Sequence, residues 1–373
     1  MVGKELKKLE IGISVYPDFL TKEEIFQQVD VAAKLGYTRI FTSVQLGNLG
    51  FDAGKNEITE EFFYLFTLAK QYGMVVHADI NDIVLESMGG SFANLKPISD
   101  FGVEVVRIDG GFTDEQIAIM THNPYGIMIE DNSSMFATAT TRLDLIKEKG
   151  NMAQFMACHN FFPRNNTGLL FDDVVDYALL YQSYGCKNGI FIGSQLNRPH
   201  LNATGEGVCT VEEHRFTPAH IALMELRHTE AFDIIFFGDS MVDESVLAKV
   251  AHCAFSPVTE LPVWLDEDVN PELKKALTTQ VFYSRYDQPE QLVRMTQTRK
   301  IASFKPGNIV ARNYLSITVD NELSNRYEGE VQIMLEDLPA TRIANVIGQV
   351  KPVAARLVND VTYGQIPFRF IIE

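Results

Sequence analysis

MAQFMACHNFFPR, residues 152–164, is the stretch whose reading decides the fold. It opens apolar, with Ala153, Phe155, Met156, Ala157 and Cys158, and then breaks into His159, Asn160, Pro163 and Arg164. A short apolar run bounded by turn residues marks a buried strand of a parallel sheet. Pro163 cannot donate to a sheet ladder, so the strand ends before it. The polar burst therefore falls just past the strand's C-terminal end, where α/β folds hold their ligands.

The same unit recurs on both sides of this stretch. IGISVY, residues 11–16, reads as a first strand, with Ile11, Ile13 and Val15 alternating with Gly12, Ser14 and Tyr16. Thr21 and Glu24 form a capping box for a helix that runs to about Gly36. Further strands are expected at Arg39–Ser43, Met74–Asp79, Val103–Asp109, Gly126–Glu130, the opening stretch, Gly189–Gly193 and Asp233–Phe237. Helices fall at Thr59–Tyr72, after Thr113, through Lys147, and at Phe171–Tyr184, Thr217–Thr229 and Val242–Ala254. Eight strand–helix cycles in about 255 residues predict the α/β class and a (β/α)8 TIM barrel. A doubly wound open sheet is the rival, but its GxGxxG after strand one is absent. Pro257 and Pro262 read as a linker. Beyond it Ile309–Leu315, Glu330–Leu335, Ala344–Val350 and Pro367–Ile372 are strand-like, with helix signal confined mainly to Pro289–Arg299. The expected division is a catalytic barrel over residues 1–255 and a smaller, mostly β domain over 256–373.

Composition bounds the function. Hydrophobic residues make up 46% of the chain, enough for a large core. No apolar run reaches the roughly 18 residues of a membrane span, and the N-terminus lacks an apolar signal core. The expectation is a cytoplasmic protein. The four cysteines are widely spaced without a CxxC pair, which favours reduced thiols over disulfides or zinc. A net charge of −17 argues against nucleic acid or an anionic membrane as partner.

Parity locates the chemistry. In strand three Val76 and Ala78 alternate with His77 and Asp79; in strand four Val106 and Ile108 alternate with Arg107 and Asp109. The apolar members should face the helices and the polar members the barrel axis. Asp79 and Asp109 then stand at the catalytic rim. Glu130 and Asp131 end strand five, His159 and Asn160 strand six, Gln195 strand seven and Asp239 strand eight. Converging carboxylates need partners or protons. Arg107, two residues from Asp109 on the same face, is the expected partner for one of them and would keep that carboxylate ionised, fit for a nucleophile, base or charge stabiliser; Asp109 is the first choice for that role, and a general acid must be a less well-paired group, Asp79 or Glu130. The bland alternatives are a structural Arg–Asp pair, a helix cap for Asp239 and a satisfied core histidine for His159. Arg164, Arg198, His214 and Arg215 lie in the loops after strands six and seven, where barrels often hold a phosphate; salt bridges to Glu206, Glu212 or Glu213 are the alternative. Tyr16 and Ser43 complete the expected substrate-binding rim. No barrel strand carries a Schiff-base lysine, and no HxH or HExxH is present. Paired carboxylates without lysine, metal or cofactor point to glycoside hydrolysis. A metal-dependent sugar-phosphate isomerase or epimerase using His77, Asp79 and His159, and a non-catalytic sugar-binding protein, are the other readings.

GISVYP (12–17), HNFFPRNNTGL (159–169), TVEEHR (210–215) and DNELSNRYEGEVQI (320–333) resemble the bacterial 6-phospho-N-acetylmuramidases along nearly the whole chain. The resemblance implies a TIM barrel followed by a cyclophilin-like domain. It also implies hydrolysis of the β-1,4 bond of N-acetylmuramic acid 6-phosphate–N-acetylglucosamine, a phosphorylated muropeptide-derived disaccharide recycled from the cell wall. Arg164, Arg198 and Arg215 would grip the phosphate. Strand five departs from the pattern, since IEDNSS (129–134) carries two acids where apolar residues would lead into an Asn–small–Ser segment. The second domain, with Asn321, Arg326 and Tyr327, would cover the site, with Arg326 touching substrate, or would hold a partner in a homo-oligomer.

Overall fold

The computed structural model describes residues 6–44, 60–108, 110–194, 207–363 and 365–372. The chain divides into two compact units, Lys8–Ala254 and a second that takes in Phe255–Glu373.

The first unit is a closed, all-parallel, eight-stranded barrel: β1 (Glu10–Ser14), β2 (Arg39–Ser43), β3 (Val75–Ile80), β4 (Val105–Ile108), β5 (Met128–Asn132), β6 (Phe155–Cys158), β7 (Asn188–Ile192) and β8 (Ile234–Phe237). β8 pairs back onto β1 through Ile235 and Ile11. The helices that matter below are α1 (Lys22–Lys34), α2 (Glu60–Tyr72), α3 (Asp82–Ser87), α4 (Lys96–Asp100), α5 (Asp114–Met120), α6 (Phe136–Lys149), α7 (Phe171–Ser183), α8 (Ala219–His228) and α9 (Glu244–Phe255). Thr21 and Thr113 each close a capping box, with Glu24 and Gln116 returning the bond, so α1 and α5 start where the sequence places them. The opening stretch is a 3-10 turn at Met152–Gln154 followed by the four residues of β6. The connection from β3 to β4 holds two short helices, α3 and α4, which the periodicity does not reveal because neither spans two turns.

Aromatic side chains fill the barrel axis. Phe41, Phe191 and Phe236 meet with ring centroids 5.0–6.3 Å apart, and Phe161 lies 5.2 Å from Phe191 and 5.7 Å from Phe41. Tyr16 packs on Phe41 and Phe161 and donates its hydroxyl to the Gly238 carbonyl at 2.8 Å. Ser14 Oγ donates to the Phe237 carbonyl at 2.6 Å, and Ser240 Oγ to the Ser14 carbonyl at 3.0 Å. These bonds stitch the strand pair that closes the ring.

The second unit is a six-stranded sheet in the order β10-β12-β11-β13-β9-β14: β9 (Thr259–Leu265), β10 (Leu292–Met295), β11 (Ser316–Asp320), β12 (Val331–Met334), β13 (Ala344–Val350) and β14 (Phe368–Ile372). Two helices accompany it, α10 (Pro271–Thr279) and α11 (Ala355–Tyr363). Here several sequence expectations give way. The proline-punctuated linker is β9, an inner strand between β13 and β14, in which Pro262 sits opposite Ile371 and gives its carbonyl to the Lys351 amide at 2.9 Å. The helix expected at Pro289–Arg299 is β10 plus a 3-10 turn, and residues 309–315 precede β11 rather than forming it.

Candidate active site

Register assembles the site. Ser43 on β2 is the cross-strand partner of Asp79 on β3, Asp79 of Arg107 on β4, and Arg107 of Glu130 on β5. In-register neighbours of a parallel sheet share a face, so these four side chains form one row inside the barrel. Arg107 Nη1 donates to Asp79 Oδ1 at 2.8 Å and Arg107 Nη2 to Asn160 Oδ1 at 3.2 Å. Ser43 Oγ stands 3.5 Å from Asp79 Oδ2. Asn160, two residues past β6, is fixed from behind: its amide N–H donates to Ser134 Oγ and its carbonyl accepts from Thr210 Oγ1. Asp79 is thus a partner of Arg107, across the strands. Asp109 lies outside the described residues, as do Gln195 and Arg198.

Around this row the rim is closely tuned. The Tyr16 phenol is pushed far above its ordinary value, first by burial and then by the charges of Asp239 and Asp79. Asp239, just after β8, accepts backbone N–H bonds from Ser194 at 2.6 Å and Val208 at 3.0 Å. Burial outweighs those bonds and pushes its carboxyl up to about 6. The Cys158 thiol is raised well above its usual range by burial beside Glu130, which leaves it unreactive.

Deeper in the barrel, Glu10 binds Arg39 at 2.6 Å, Arg39 Nη1 stands 3.2 Å from His77 Nε2, and His77 Nδ1 stands 2.9 Å from Glu130 Oε1. A guanidinium can only donate, so Nε2 accepts and the ring hydrogen sits on Nδ1, facing Glu130. Both His77 nitrogens are thereby engaged, and no lone pair is left for the metal of an isomerase. Glu130 itself is fully buried; its second oxygen has no partner among the described residues.

Three expected ligand-binding groups are turned to other uses. His159 points outward at α7, with Nε2 3.1 Å from the Val174 carbonyl and Nδ1 3.2 Å from Ser134 Oγ. Burial holds its ring down at about 3. Arg215 is fully buried and spends its five N–H groups inside the protein: two on Glu212 and one on the Gly207 carbonyl of its own loop, and two on the carbonyls of Phe162 and Arg164 in the loop after β6, the carbonyl bonds at 2.6–3.1 Å. None remains for a phosphate. His214 Nε2 stands 3.0 Å from Glu225 of α8. Arg164 is exposed in the loop between β6 and α7, and Arg326 belongs to the second unit. Ser134 and Thr210 hold Asn160, while Phe161 packs on Phe41 and Phe191; the stretches IEDNSS, TVEEHR and HNFFPR were the available signals. Asp131 is the outward neighbour of Glu130, bound by Arg142 and by the Tyr181 hydroxyl at 2.6 Å.

Comparison with known proteins decides the kinship. A family model described as 6-phospho-N-acetylmuramidase, N-terminal, matches residues 11–252, and its C-terminal counterpart matches residues 259–371. The chain belongs to the 6-phospho-N-acetylmuramidase family. The muramidase family is one of glycosidases of muropeptide recycling, and this chain is such a glycosidase. Two solved structures resemble it over its length. An uncharacterized B. cereus protein is 26% identical, with TM-score 0.84, over 98% of this chain and all of its own. A protein of unknown function from Enterococcus faecalis is 25% identical, with TM-score 0.74, over 98% of this chain and 96% of its own. Curated proteins give no match. Among the described residues no helix is long and apolar enough to cross a membrane.

Proposed function

We propose that the Ser43–Asp79–Arg107–Asn160 row is where this muramidase cleaves the β-1,4 bond of N-acetylmuramic acid 6-phosphate–N-acetylglucosamine. The observation that carries the assignment is the Asp79–Arg107 ion pair, at a strand end and braced by Asn160. Arg107 stabilises the Asp79 carboxylate as an anion, which suits it to steady an oxocarbenium-like transition state or to orient the substrate's 2-acetamido group. This moves Asp79 away from the role of general acid. Asp109, two residues on from Arg107, is the second carboxylate of the proposal. Asp239 is the rim carboxyl whose value, near 6, suits a proton donor. Arg164, in the loop between β6 and α7, is the proposed phosphate contact, since Arg215 is spent. Turnover takes place in the cytoplasm, on a disaccharide already phosphorylated, and the second domain is of the cyclophilin-like type.

The test is hydrolysis of the phosphorylated and unphosphorylated disaccharides by the native chain and by Asp79→Asn. The expected result is a strong preference for the phosphorylated sugar and a fall in kcat of about 10²–10⁴-fold in the variant, whose fold is checked by circular dichroism. Equal rates on the two sugars remove the phosphate claim; a fully active Asp79→Asn removes the assignment of the row.

A further inference from the structure

The 320–333 motif lies in the second unit, and the barrel chemistry makes no use of it. Its backbone is unusual. After β11, a 3-10 segment spans Glu322–Tyr327, broken at Asn325, whose φ of 52° and ψ of −114° fall where glycine is at home. Such a conformation costs free energy and is kept where something else requires it. Asn321 anchors the segment, accepting the Leu323 N–H and donating to the Arg342 carbonyl and Asn345 Oδ1.

The kink presents Arg326 and Tyr327. The Tyr327 ring has three guanidinium carbons within 6 Å of its centre: Arg326 at 4.7 Å, Arg299 at 4.8 Å and Arg294 at 5.7 Å. Arg326 Nη2 donates to the Tyr327 hydroxyl at 2.5 Å. Glu330, 1% exposed, locks the other two, taking Arg294 through Nε at 2.5 Å and Nη2 at 3.2 Å, and Arg299 through Nε at 2.6 Å and through Nη2. Two bonds from Arg294, two from Arg299 and one from Arg326 make five, of the fifteen N–H groups that three guanidiniums carry. Arg215 spends all five of its own, so the contrast is one of kind. Three carboxylates face the cluster, Glu330, the buried Asp320 and Asp287, which also pairs with Arg285, so four guanidiniums, Arg285, Arg294, Arg299 and Arg326, meet three negative charges. An excess of like charge at one exposed and two partly exposed positions, in a chain of net charge −17, is favourable with an anion present. Guanidiniums already occupy the ring, so it is not a platform for a sugar face. Forked N–H donors match phosphate oxygens.

We propose that Arg294, Arg299, Arg326 and Tyr327 form an oxyanion site of the second unit that takes a phosphate monoester. A phosphorylated muramic sugar as its source rests on the proposed function; the oxyanion site does not. Calorimetric titration of the full chain with inorganic phosphate, and separately with N-acetylmuramic acid 6-phosphate, tests both. Arg326→Ala, at an exposed position, should weaken one phosphate-binding event at least tenfold, and Tyr327→Phe, which releases the Arg326 clamp, should weaken it several-fold. Asp79→Asn should leave that event as in the native chain. Native phosphate binding in Arg326→Ala overturns the site, and so does a native chain that binds no phosphate. Phosphate binding that depends on Arg326, without matching sugar-phosphate binding, overturns the sugar as source and leaves the site. An event lost in Asp79→Asn but kept in Arg326→Ala assigns it to the barrel and overturns the second site.

Discussion

Arg107 and Arg215 are both fully buried, and their partners decide what each can do. Arg107 donates to Asp79 and to Asn160 near the C-terminal strand ends, the side of such barrels that carries active sites. Arg215 is enclosed by Glu212 and three carbonyls, so its charge ties the loop after β7 to the loop after β6. Glu212 keeps 28% of its side chain exposed, so solvent screens the carboxylate left behind when Arg215 is removed, and the main loss is the three buried carbonyls left without a donor. Arg215→Ala should therefore lower the unfolding free energy by about 1–3 kcal/mol in a urea titration; an unchanged midpoint would show that water replaces the guanidinium. The same pair makes a pH statement. Hydrogen bonds from Arg215, aided by the amides of Asn166 and Gly168, hold the Glu212 carboxyl down at about 2 from an ordinary value of 4.5, against burial. A depressed carboxyl contributes stability that is whole above its unfolded value and is lost as pH falls through its folded one. The loop's contribution should thus fade between about pH 4.5 and 2, and the fading should vanish in Glu212→Gln. Parity made Asp79 and Arg107 legible in the sequence, and carried one residue further it also accounts for His159: Cys158 faces in, so His159 turns out and Asn160 in. The fates of Arg215 and His214 depend on carbonyls and a helix brought in by the fold, which no spacing records.

At the scale of elements, the barrel could be read because each strand is followed by a helix of different period, and eight repetitions reinforce one another. The second unit gives no such repetition. In β10 only Val293 and Met295 alternate with Leu292 and Arg294, too short a run to outweigh residues that also favour helix. Its strand character comes from pairing with β12, from Leu292 opposite Met334 to Met295 opposite Val331. β9 hid behind Pro262 for the same reason. The barrel's closing pair carries a sharper requirement. A Cβ on Gly12 would stand 2.3 Å from Phe236 Cδ1 and 2.9 Å from Arg39 Cβ. Phe236 is held by Phe41, Phe191 and His77, so its ring has nowhere to swing. Gly12→Ala should cost about 1–3 kcal/mol through overpacking, read as a lowered melting temperature. A native melting temperature would mean that β1 and β8 part without loss.

For the molecule as a whole, the relevant number is its charge of −17. The proposed substrate carries a phosphate of about −1.5 to −2 at neutral pH and a lactyl carboxylate besides. The far field of the protein therefore opposes its approach, while the arginines attract it only within their own neighbourhood. Salt shortens the reach of such fields from about 30 Å at 0.01 M to about 8 Å at 0.15 M. Repulsion summed over the whole surface is screened first, and the short-range attraction of Arg107 and its neighbours survives longest. Raising ionic strength across that range should thus increase kcat/KM for the phosphorylated disaccharide while leaving kcat unchanged, because encounter enters only the former. The unphosphorylated disaccharide should show a shallower rise. If kcat/KM instead falls with salt, the local basic groups of the barrel govern the encounter, and the slope should then flatten when Arg164 is replaced by alanine.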